Sequence, residues 1–295
     1  MIEVCSLSKS FTDKKVLENV NLVIGEGKVF GVVGINGSGK STFLRLICGI
    51  YKPDSGNVHI DGESVYENEK AKSKIFFLPD EPFYSINTTP LSLKSFYKEF
   101  YNLNEDLYLS YLNEFKIPLK KSMNNFSKGM KRQVFISLAL AIKPKYLLLD
   151  EAFDGLDPLA RITFKKAISK VILEEKTTVI ISSHSLRELE DICDDYAILD
   201  NKHIISSNNI GEGSKKLYKY QVAFLNEFKE EFEFDYIKCI KIGRVVHFTT
   251  KDELKDFRLK IEKYNPLFID QIAIDFEESF IAEVESRGYL KWEKH

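Results

Sequence analysis

The sequence predicts an α/β fold in which helices cover a parallel sheet. The first observation is the continuous apolar run Val29–Val33, which is followed by a glycine-rich turn and by a helix that begins near Gly39. The second is a strand at 146–149, a helix at about 158–173 and a strand at 178–182. Continuous apolar runs of this length are typical of strands buried on both faces. Strand, helix and strand in this order predict parallel pairing.

The segments around this core predict two subdomains. Turn residues separate short strands in 2–34 and around 53–62, which predicts an N-terminal antiparallel β subdomain. Apolar side chains recur at helical spacing within 91–112, and a helix over 128–142 must stop before Pro144. We therefore expect an α-helical subdomain at about 83–142.

The tail differs in composition. A Ser/Asn run and the linker-like segment 211–214 separate it from the preceding residues. We predict a domain at 1–207 and a small C-terminal α/β accessory domain at 208–295. The tail's predicted strands are 220–224, 245–249 and 268–274, and its predicted helices are 252–264 and 277–286.

Composition excludes several classes of function. The chain has 295 residues, 42 Lys and Arg against 44 Asp and Glu, and a net charge of −2, so we expect no nucleic-acid partner. Its 4 cysteines are isolated, which favours reduced thiols over a metal or redox site. The N-terminus does not resemble a signal peptide, and no apolar run approaches the roughly 20 residues of a membrane span. We expect a cytoplasmic chain that depends on another subunit for any work at a membrane.

A phosphate-binding loop is predicted between the first buried strand and its helix. Residues 34–41 read Gly-Ile-Asn-Gly-Ser-Gly-Lys-Ser and fit the pattern G-x-x-x-x-G-K-[ST]. Glycines let backbone N–H groups curl around phosphates, and the helix N-terminus adds partial positive charge. Lys40 is expected to reach the β- and γ-phosphates of ATP, and Ser41 to bind Mg²⁺. The predicted nucleotide-binding residues of this loop are Asn36, Gly37, Ser38, Gly39, Lys40, Ser41 and Thr42.

Two carboxylates follow the strand at 146–149. Asp150 and Glu151 stand at its carboxyl end, where ligands bind in open α/β sheets. Asp150 is suited to hold Mg²⁺ and Glu151 to polarise the attacking water. Two acids at a strand end are common, so the assignment depends on the phosphate loop.

Residues 126–133, Phe-Ser-Lys-Gly-Met-Lys-Arg-Gln, resemble the signature motif of ATP-binding cassette (ABC) ATPases. That family writes the motif Leu-Ser-Gly-Gly-Gln, and a Ser-Lys-Gly-Met form is familiar among its exporters. Ser127 can cap the helix that follows. The resemblance implies that Ser127 and Gly129 face the γ-phosphate of ATP on an opposite subunit, in a homodimer or a heterodimer. Without the other motifs, a plain N-capped helix would be the better interpretation.

Further positions match the family in order. The segment 154–157 resembles its D-loop, which implies that Asp157 lies at the dimer interface and near nucleotide. His184 resembles its switch histidine, which contacts the γ-phosphate, although an isolated histidine is usually structural. Phe11 lies where the family keeps an aromatic residue against adenine; a buried core phenylalanine is the alternative.

Two positions depart from the family pattern. Lys128 replaces the first signature glycine. Asp80, in the segment 75–82, stands where the family has the glutamine of its Q-loop, so the resemblance gives Asp80 a catalytic and metal-binding position. An ionised aspartate only accepts hydrogen bonds, whereas a glutamine also donates them.

The resemblance implies an ATP-hydrolysing subunit, peripheral on the inner face of the cell membrane, that drives export by separate membrane-spanning permease subunits. An apolar patch at Phe83, Tyr84 and Ile86 would seat the permease or belong to the core. The alternative function is a soluble ABC ATPase acting on ribosomes or iron–sulfur assembly. Export rests on the signature form and the tail. The transported substrate would contact the permease, so peptide, drug and lipid all stay open, with a peptide or toxin first by analogy.

Overall fold

The computed structural model describes residues 1–12, 14–206, 217–228 and 231–274. The chain divides into two compact units, Met1–Ser207 and Asn208–His295. That the first unit suffices for nucleotide binding stays a prediction. The predicted linker at 211–214 and the predicted helix at 277–286 lie outside the described residues.

An antiparallel sheet of 4 strands, in the order β2-β1-β4-β5, forms the N-terminal subdomain. Buried and more exposed residues alternate along parts of its two long strands, which is typical of a sheet with one face on a core. The strands are β1 (Ile2–Phe11), β2 (Lys14–Ile24), β4 (Ser55–Ile60) and β5 (Glu63–Ser64).

A second sheet of 6 strands, in the order β10-β9-β3-β8-β7-β6, is parallel from β9 to β6. Every residue of β3, β7 and β8 is buried, as the continuous apolar runs predict. The parallel sheet, the antiparallel subdomain and the overall α/β class are therefore confirmed. The strands are β3 (Val29–Val33), β6 (Ile75–Leu78), β7 (Tyr146–Asp150), β8 (Thr178–Ser183), β9 (Asp195–Asp200) and β10 (His203–Ser206).

Side-chain caps fix where several helices begin. Thr89 forms a capping box with Ser92, and Asn104 accepts a hydrogen bond from the N–H of Leu107, which splits the predicted helical region into two helices. The left-handed residue Lys143 ends the signature helix before Pro144. The helices of the first unit are α1 (Lys40–Ile47), α2 (Glu69–Lys72), α3 (Pro90–Lys98), α4 (Glu105–Glu114), α5 (Lys128–Ile142), α6 (Pro158–Glu175) and α7 (Leu186–Glu190), with a 3-10 turn at Met123–Asn125.

One continuous core joins the two sheets of the first unit. Buried side chains from β1, β2 and β4 pack with α1 and with the strands of the parallel sheet. Phe43 and Leu44 of α1 are fully buried in it. The phosphate loop is therefore anchored on both sides by packed elements, β3 before it and α1 after it.

The second unit contains a four-stranded antiparallel sheet in the order β12-β13-β11-β14. Its elements are β11 (Tyr218–Ala223), β12 (Lys238–Ile242), β13 (Val245–Thr250), α8 (Leu254–Ile261), a 3-10 turn (Glu262–Tyr264) and β14 (Phe268–Ile272). Its core is mainly aromatic. The buried residues are Tyr220, Val222, Phe224, Phe232, Val246, Phe248, Phe257 and Ile261.

None of the helices in the described ranges has the length and apolar character needed to cross a bilayer.

Candidate functional site

The glycines of the phosphate loop occupy positions that disfavour a side chain. Gly37 and Gly39 have φ values of 80° and 111°, in the region that favours glycine. A Cβ on Gly34 would lie 2.6 Å from the carbonyl oxygen of Leu199 and 2.6 Å from Ser38 Oγ. A Cβ on Gly37 would meet no atom within 4 Å, so the tip of the loop opens to solvent. This geometry fits a cradle for phosphate oxygens.

Lys40 begins α1 and turns back across the loop. Its ammonium donates to the carbonyl oxygens of Gly34 at 2.6 Å and Ile35 at 3.3 Å. It also lies 3.0 Å from Glu151 Oε1, and only 5% of its side chain is exposed. The predicted phosphate-binding lysine and the predicted general base are thus in direct contact. Ser41 and Thr42 follow in the same helical turn, both half-buried.

Asp150 is fully buried at the carboxyl end of β7. Its Oδ1 accepts a hydrogen bond from Ser182 Oγ at 2.6 Å, and that hydroxyl accepts in turn from the N–H of Glu151 at 3.0 Å. Its Oδ2 is buried without a hydrogen-bond partner in the described part of the chain. Buried carboxylate oxygens need a partner. One free oxygen beside the phosphate loop therefore fits a metal ion or its bound water.

Glu151 has a left-handed backbone, with φ at 49°, which non-glycine residues adopt at a cost. This conformation turns its largely buried side chain toward both Lys40 and His184. The Nδ1 atom of His184 lies 3.0 Å from Glu151 Oε2, and the N–H of His184 donates to the same oxygen at 3.3 Å. Lys40, Glu151 and His184 therefore form one polar chain.

Sheet order explains why these residues meet. Strands β3, β8 and β7 are neighbours and run parallel, so their carboxyl ends share one edge of the sheet. The phosphate loop follows β3, the acidic pair ends β7, and His184 follows β8. Ligands bind at this edge in open α/β sheets.

Phe11 lies at the end of β1 with 39% of its surface exposed, so it is not the buried core residue of the alternative interpretation. Its ring meets Tyr51 edge to face at 5.4 Å, and the Lys9 ammonium lies 5.4 Å from its centroid. The sequence did not single out Tyr51 or Lys9, because neither belongs to a motif. An accessible ring at this position suits stacking on a base.

Ser127 and Asp157 both act as helix caps. Ser127 Oγ accepts from the N–H of Met130 at 3.2 Å, as predicted for α5, and Asp157 accepts from the N–H of Ala160 at 2.9 Å. A Cβ on Gly129 would lie 2.5 Å from the carbonyl oxygen of Gly155, so the start of α5 packs closely on the loop after β7. Within the described residues these contacts do not involve the phosphate loop. A nucleotide role for Ser127, Gly129 and Asp157 stays a prediction.

Asp80 contacts the signature helix. Its Oδ1 lies 2.5 Å from Nη2 of Arg132, and Nη1 of Arg132 donates to the carbonyl oxygen of Pro79 at 3.3 Å. In the described part of the chain the Asp80 carboxylate has no hydrogen bond to Lys40, Ser41 or Asp150. Its catalytic and metal-binding role stays a prediction. Arg132 was not identified from the sequence as a partner of Asp80, because no motif links the two residues.

The residues present fit a nucleotide with Mg²⁺. The phosphate loop supplies backbone N–H groups and an ammonium, and Asp150 Oδ2 and the Ser41 hydroxyl are the oxygens that would hold the ion. In the described ranges no group of three or more His, Cys, Asp or Glu side chains could hold a metal ion. Mg²⁺ in nucleotide sites is typically held by few protein groups together with phosphates and waters.

Comparison with known proteins finds relatives that are ATP-binding proteins of transporters. A family model described as ABC transporter matches residues 17–154. The chain is 30% identical over 305 residues to the ABC transporter ATP-binding protein YtrB of Bacillus subtilis (strain 168), covering 99% of this chain and 100% of that protein. It is 31% identical over 227 residues to the bacitracin transport ATP-binding protein BcrA of Enterococcus faecalis, covering 75% of this chain and 73% of that one. Methionine import ATP-binding proteins also match.

A solved structure described as the ATP binding subunit of an ABC transporter superposes with a TM-score of 0.64 at 30% identity. The match covers 71% of this chain and 91% of that one.

Proposed function

Because the chain belongs to the ABC transporter family, as an ATP-binding subunit that hydrolyses ATP, we propose that two such cassettes pair head to tail and drive export by separate membrane-spanning subunits. ABC ATP-binding subunits dimerise and work with membrane permeases. The form of the signature motif and the likeness to a bacitracin transport protein support export. The relatives named above belong to transporters, and they give the ribosome or iron–sulfur alternative no support.

In this proposal the phosphate loop binds ATP. The hydrogen bonds of Lys40 to two loop carbonyls keep its ammonium at the cradle, which supports its proposed contact with the β- and γ-phosphates. Ser41 and Asp150 would hold Mg²⁺, which neutralises phosphate charge when bound. Ser182 fixes one oxygen of Asp150 by a hydrogen bond and leaves the other for this task.

Glu151 is the proposed general base. It accepts a proton from the attacking water while the water oxygen bonds to the γ-phosphorus and the bond to the bridging oxygen breaks, which releases ADP and phosphate. His184 holds one Glu151 oxygen at 3.0 Å and thereby orients the carboxylate. The exposed edge of His184 is available to the γ-phosphate, as the family resemblance implies.

The second cassette would supply Ser127 and Gly129 to this ATP. The hydroxyl that caps α5 and the N–H groups of its first turn form an anion-binding end. A cassette of the same chain makes a homodimer, and a different cassette makes a heterodimer; size-exclusion chromatography in MgATP distinguishes them.

An exposed apolar surface is the proposed docking site of the permease. Phe83 is 89% exposed and Ile86 is 77% exposed, so the alternative that they are core residues is wrong. Phe83, Tyr84 and Phe96 line a groove of 230 Å³. A contiguous exposed patch of this kind is typical of protein interfaces. Docking there would hold the chain on the inner face of the membrane.

The contact of Lys40 with Glu151 carries the proposal, because it joins the predicted phosphate-binding residue to the predicted base. Lys40→Ala should abolish MgATP binding or turnover while the circular dichroism spectrum of the chain persists. Lys143→Ala, which removes a lysine paired with Glu175 elsewhere, is the matched control. Wild-type turnover in Lys40→Ala would overturn the assignment.

Copurification from the native membrane identifies the permease. Transport of substrate into or out of vesicles then decides between import and export.

A further inference from the structure

The first turns of α5 lie across two neighbouring loops. Strands β6 and β7 pair in parallel, with Leu78 opposite Leu149, so the loops that follow them leave the same edge side by side. Lys128 and Arg132 are one helical turn apart on α5 and share a face. Each contacts an acid on a different loop.

Arg132 binds the loop after β6. Only 2% of its side chain is exposed, whereas 41% of the Asp80 side chain is exposed. One guanidinium nitrogen donates to Asp80 and the other to the carbonyl oxygen of Pro79, so the contact fixes both position and direction. A planar guanidinium makes such paired contacts, which a lysine ammonium cannot reproduce. A buried guanidinium without these partners would be costly.

Lys128 binds the loop after β7. Its Nζ lies 2.6 Å from Asp154 Oδ2. The hydrogen bond to Lys128 holds the pKa of Asp154 below its ordinary value, and the same bond raises the pKa of Lys128. The close contact of Gly129 with Gly155 lies beside this pair. The loop after β7 is therefore held to α5 by charge and by backbone contact.

Each of the two residues that depart from the family pattern is thus paired with a side chain of opposite charge. Lys128, which replaces a glycine, pairs with Asp154, and Asp80, which replaces a glutamine, pairs with Arg132. Both pairs fix the end of α5 that begins with Ser127. Glu81 and Lys131 stand next to two of these residues and make no ion pair in the described part of the chain.

We propose that Asp80, Arg132, Lys128 and Asp154, the α5 clasp, are positioning residues that aim the signature end of α5 at the ATP of the opposite cassette. This inference rests on the proposed function, since it assumes that Ser127 and Gly129 complete a neighbour's site. In it Asp80 acts through Arg132 and not through the metal. If α5 is wrongly oriented, the cassette's own phosphate loop stays intact, but Ser127 and Gly129 no longer complete the ATP site of the opposite cassette.

Steady-state turnover of the full chain tests the clasp. Asp80→Ala and Arg132→Gln should each lower kcat about tenfold while KM for ATP stays within about twofold, because small misplacements cost rate and not binding. The double variant should be no worse than either single variant, as expected for residues of one contact. Glu81→Ala and Lys131→Ala remove the same charges one position away and should hydrolyse ATP like the wild type. Wild-type kcat in Asp80→Ala, or additive losses in the double variant, would overturn the clasp.

Asp80→Asn provides a variant that keeps the shape of the side chain if Arg132→Gln fails to fold. In the Glu151→Gln background it should weaken MgATP-dependent dimerisation, measured by size-exclusion chromatography, and bind ATP like its parent at every Mg²⁺ concentration. A gain in ATP affinity confined to low Mg²⁺ would instead locate the Asp80 carboxylate at the metal and overturn the clasp. These outcomes leave the proposed ATP binding and hydrolysis untouched, because that part of the proposal fails if Lys40→Ala keeps wild-type turnover.

Discussion

The two units of this chain use their sheets differently. In the first, charged residues stand at one edge of an apolar parallel sheet, where Lys40 and Asp150 are buried and Glu151 is largely buried. In the second, aromatic rings fill the interior, with Tyr220 and Phe257 stacked at 4.3 Å and Phe228 and Phe232 at 4.4 Å. Ligand chemistry constrains residue type and spacing in the first unit. Packing constrains mainly volume in the second, and many sequences satisfy it.

The largest expected effect lies at the charged edge. Glu151→Gln should lower ATP hydrolysis about 10²–10⁴-fold because it removes a positioned base. ATP affinity should persist, since Lys40 keeps its loop carbonyls. The stalled protein should dimerise in MgATP, which size-exclusion chromatography with and without nucleotide measures. Glu175→Gln, a carboxylate at the end of α6, is the control. A strictly monomeric profile would count against self-pairing and indicate a different cassette as partner.

A core substitution in the aromatic unit probes the other side of the comparison. Phe257→Ala should destabilise the second unit by about 3–5 kcal/mol, because it leaves a cavity under a fully buried ring. Hydrogen exchange of peptides from 218–272 should accelerate while ATP affinity stays unchanged. Leu259→Ala, on the same helix but 74% exposed, should leave exchange unaltered. Loss of ATP binding in Phe257→Ala would mean that the nucleotide site depends on the second unit.

Phe11 is an aromatic residue that is predicted to bind the adenine of ATP. Phe11→Ala should weaken ATP affinity by about 1–3 kcal/mol if the ring stacks on adenine. Phe11→Tyr keeps the ring and should bind as the wild type does. Isothermal titration with ATP and with inorganic triphosphate separates the effects, because only ATP has a base. An equal loss for both ligands contradicts stacking.

The smallest effect should come from removing the second unit. A chain lacking residues 210–295 should bind ATP within about twofold of the full chain, because every proposed nucleotide-contacting residue precedes the cut. A fluorescent nucleotide analogue measures this. A soluble truncated chain that binds no analogue would show that the domain boundary is misplaced.

Much of the first unit was predictable because its signals are local. The predicted bounds of α5 match the structure, since Ser127 caps its start and Pro144 limits its end. Strands β9, β10 and β12 were not predicted. Four of the five residues of β12 are exposed, so this edge strand has no buried run to identify it.

The sequence identified the individual residues of the site, but it did not predict which of them contact each other. Motifs identified Lys40, Glu151 and His184 separately, and the order of the parallel strands brings them together. The pairing of Asp80 with Arg132 depends on how α5 lies over the sheet, which no local pattern encodes. The role of Asp80 was inferred only from its position, where the family has the glutamine of its Q-loop.

The backbone of Glu151 has a consequence for how this protein tolerates change. A left-handed non-glycine residue costs about 1–3 kcal/mol, and the hydrogen bond from its N–H to Ser182 holds it there. Glycine at this position would relieve that backbone cost, but it would also remove the carboxylate that pairs with the buried Lys40 ammonium and with His184. The strained backbone at Glu151 is therefore retained together with the contacts that its side chain makes to Lys40 and His184.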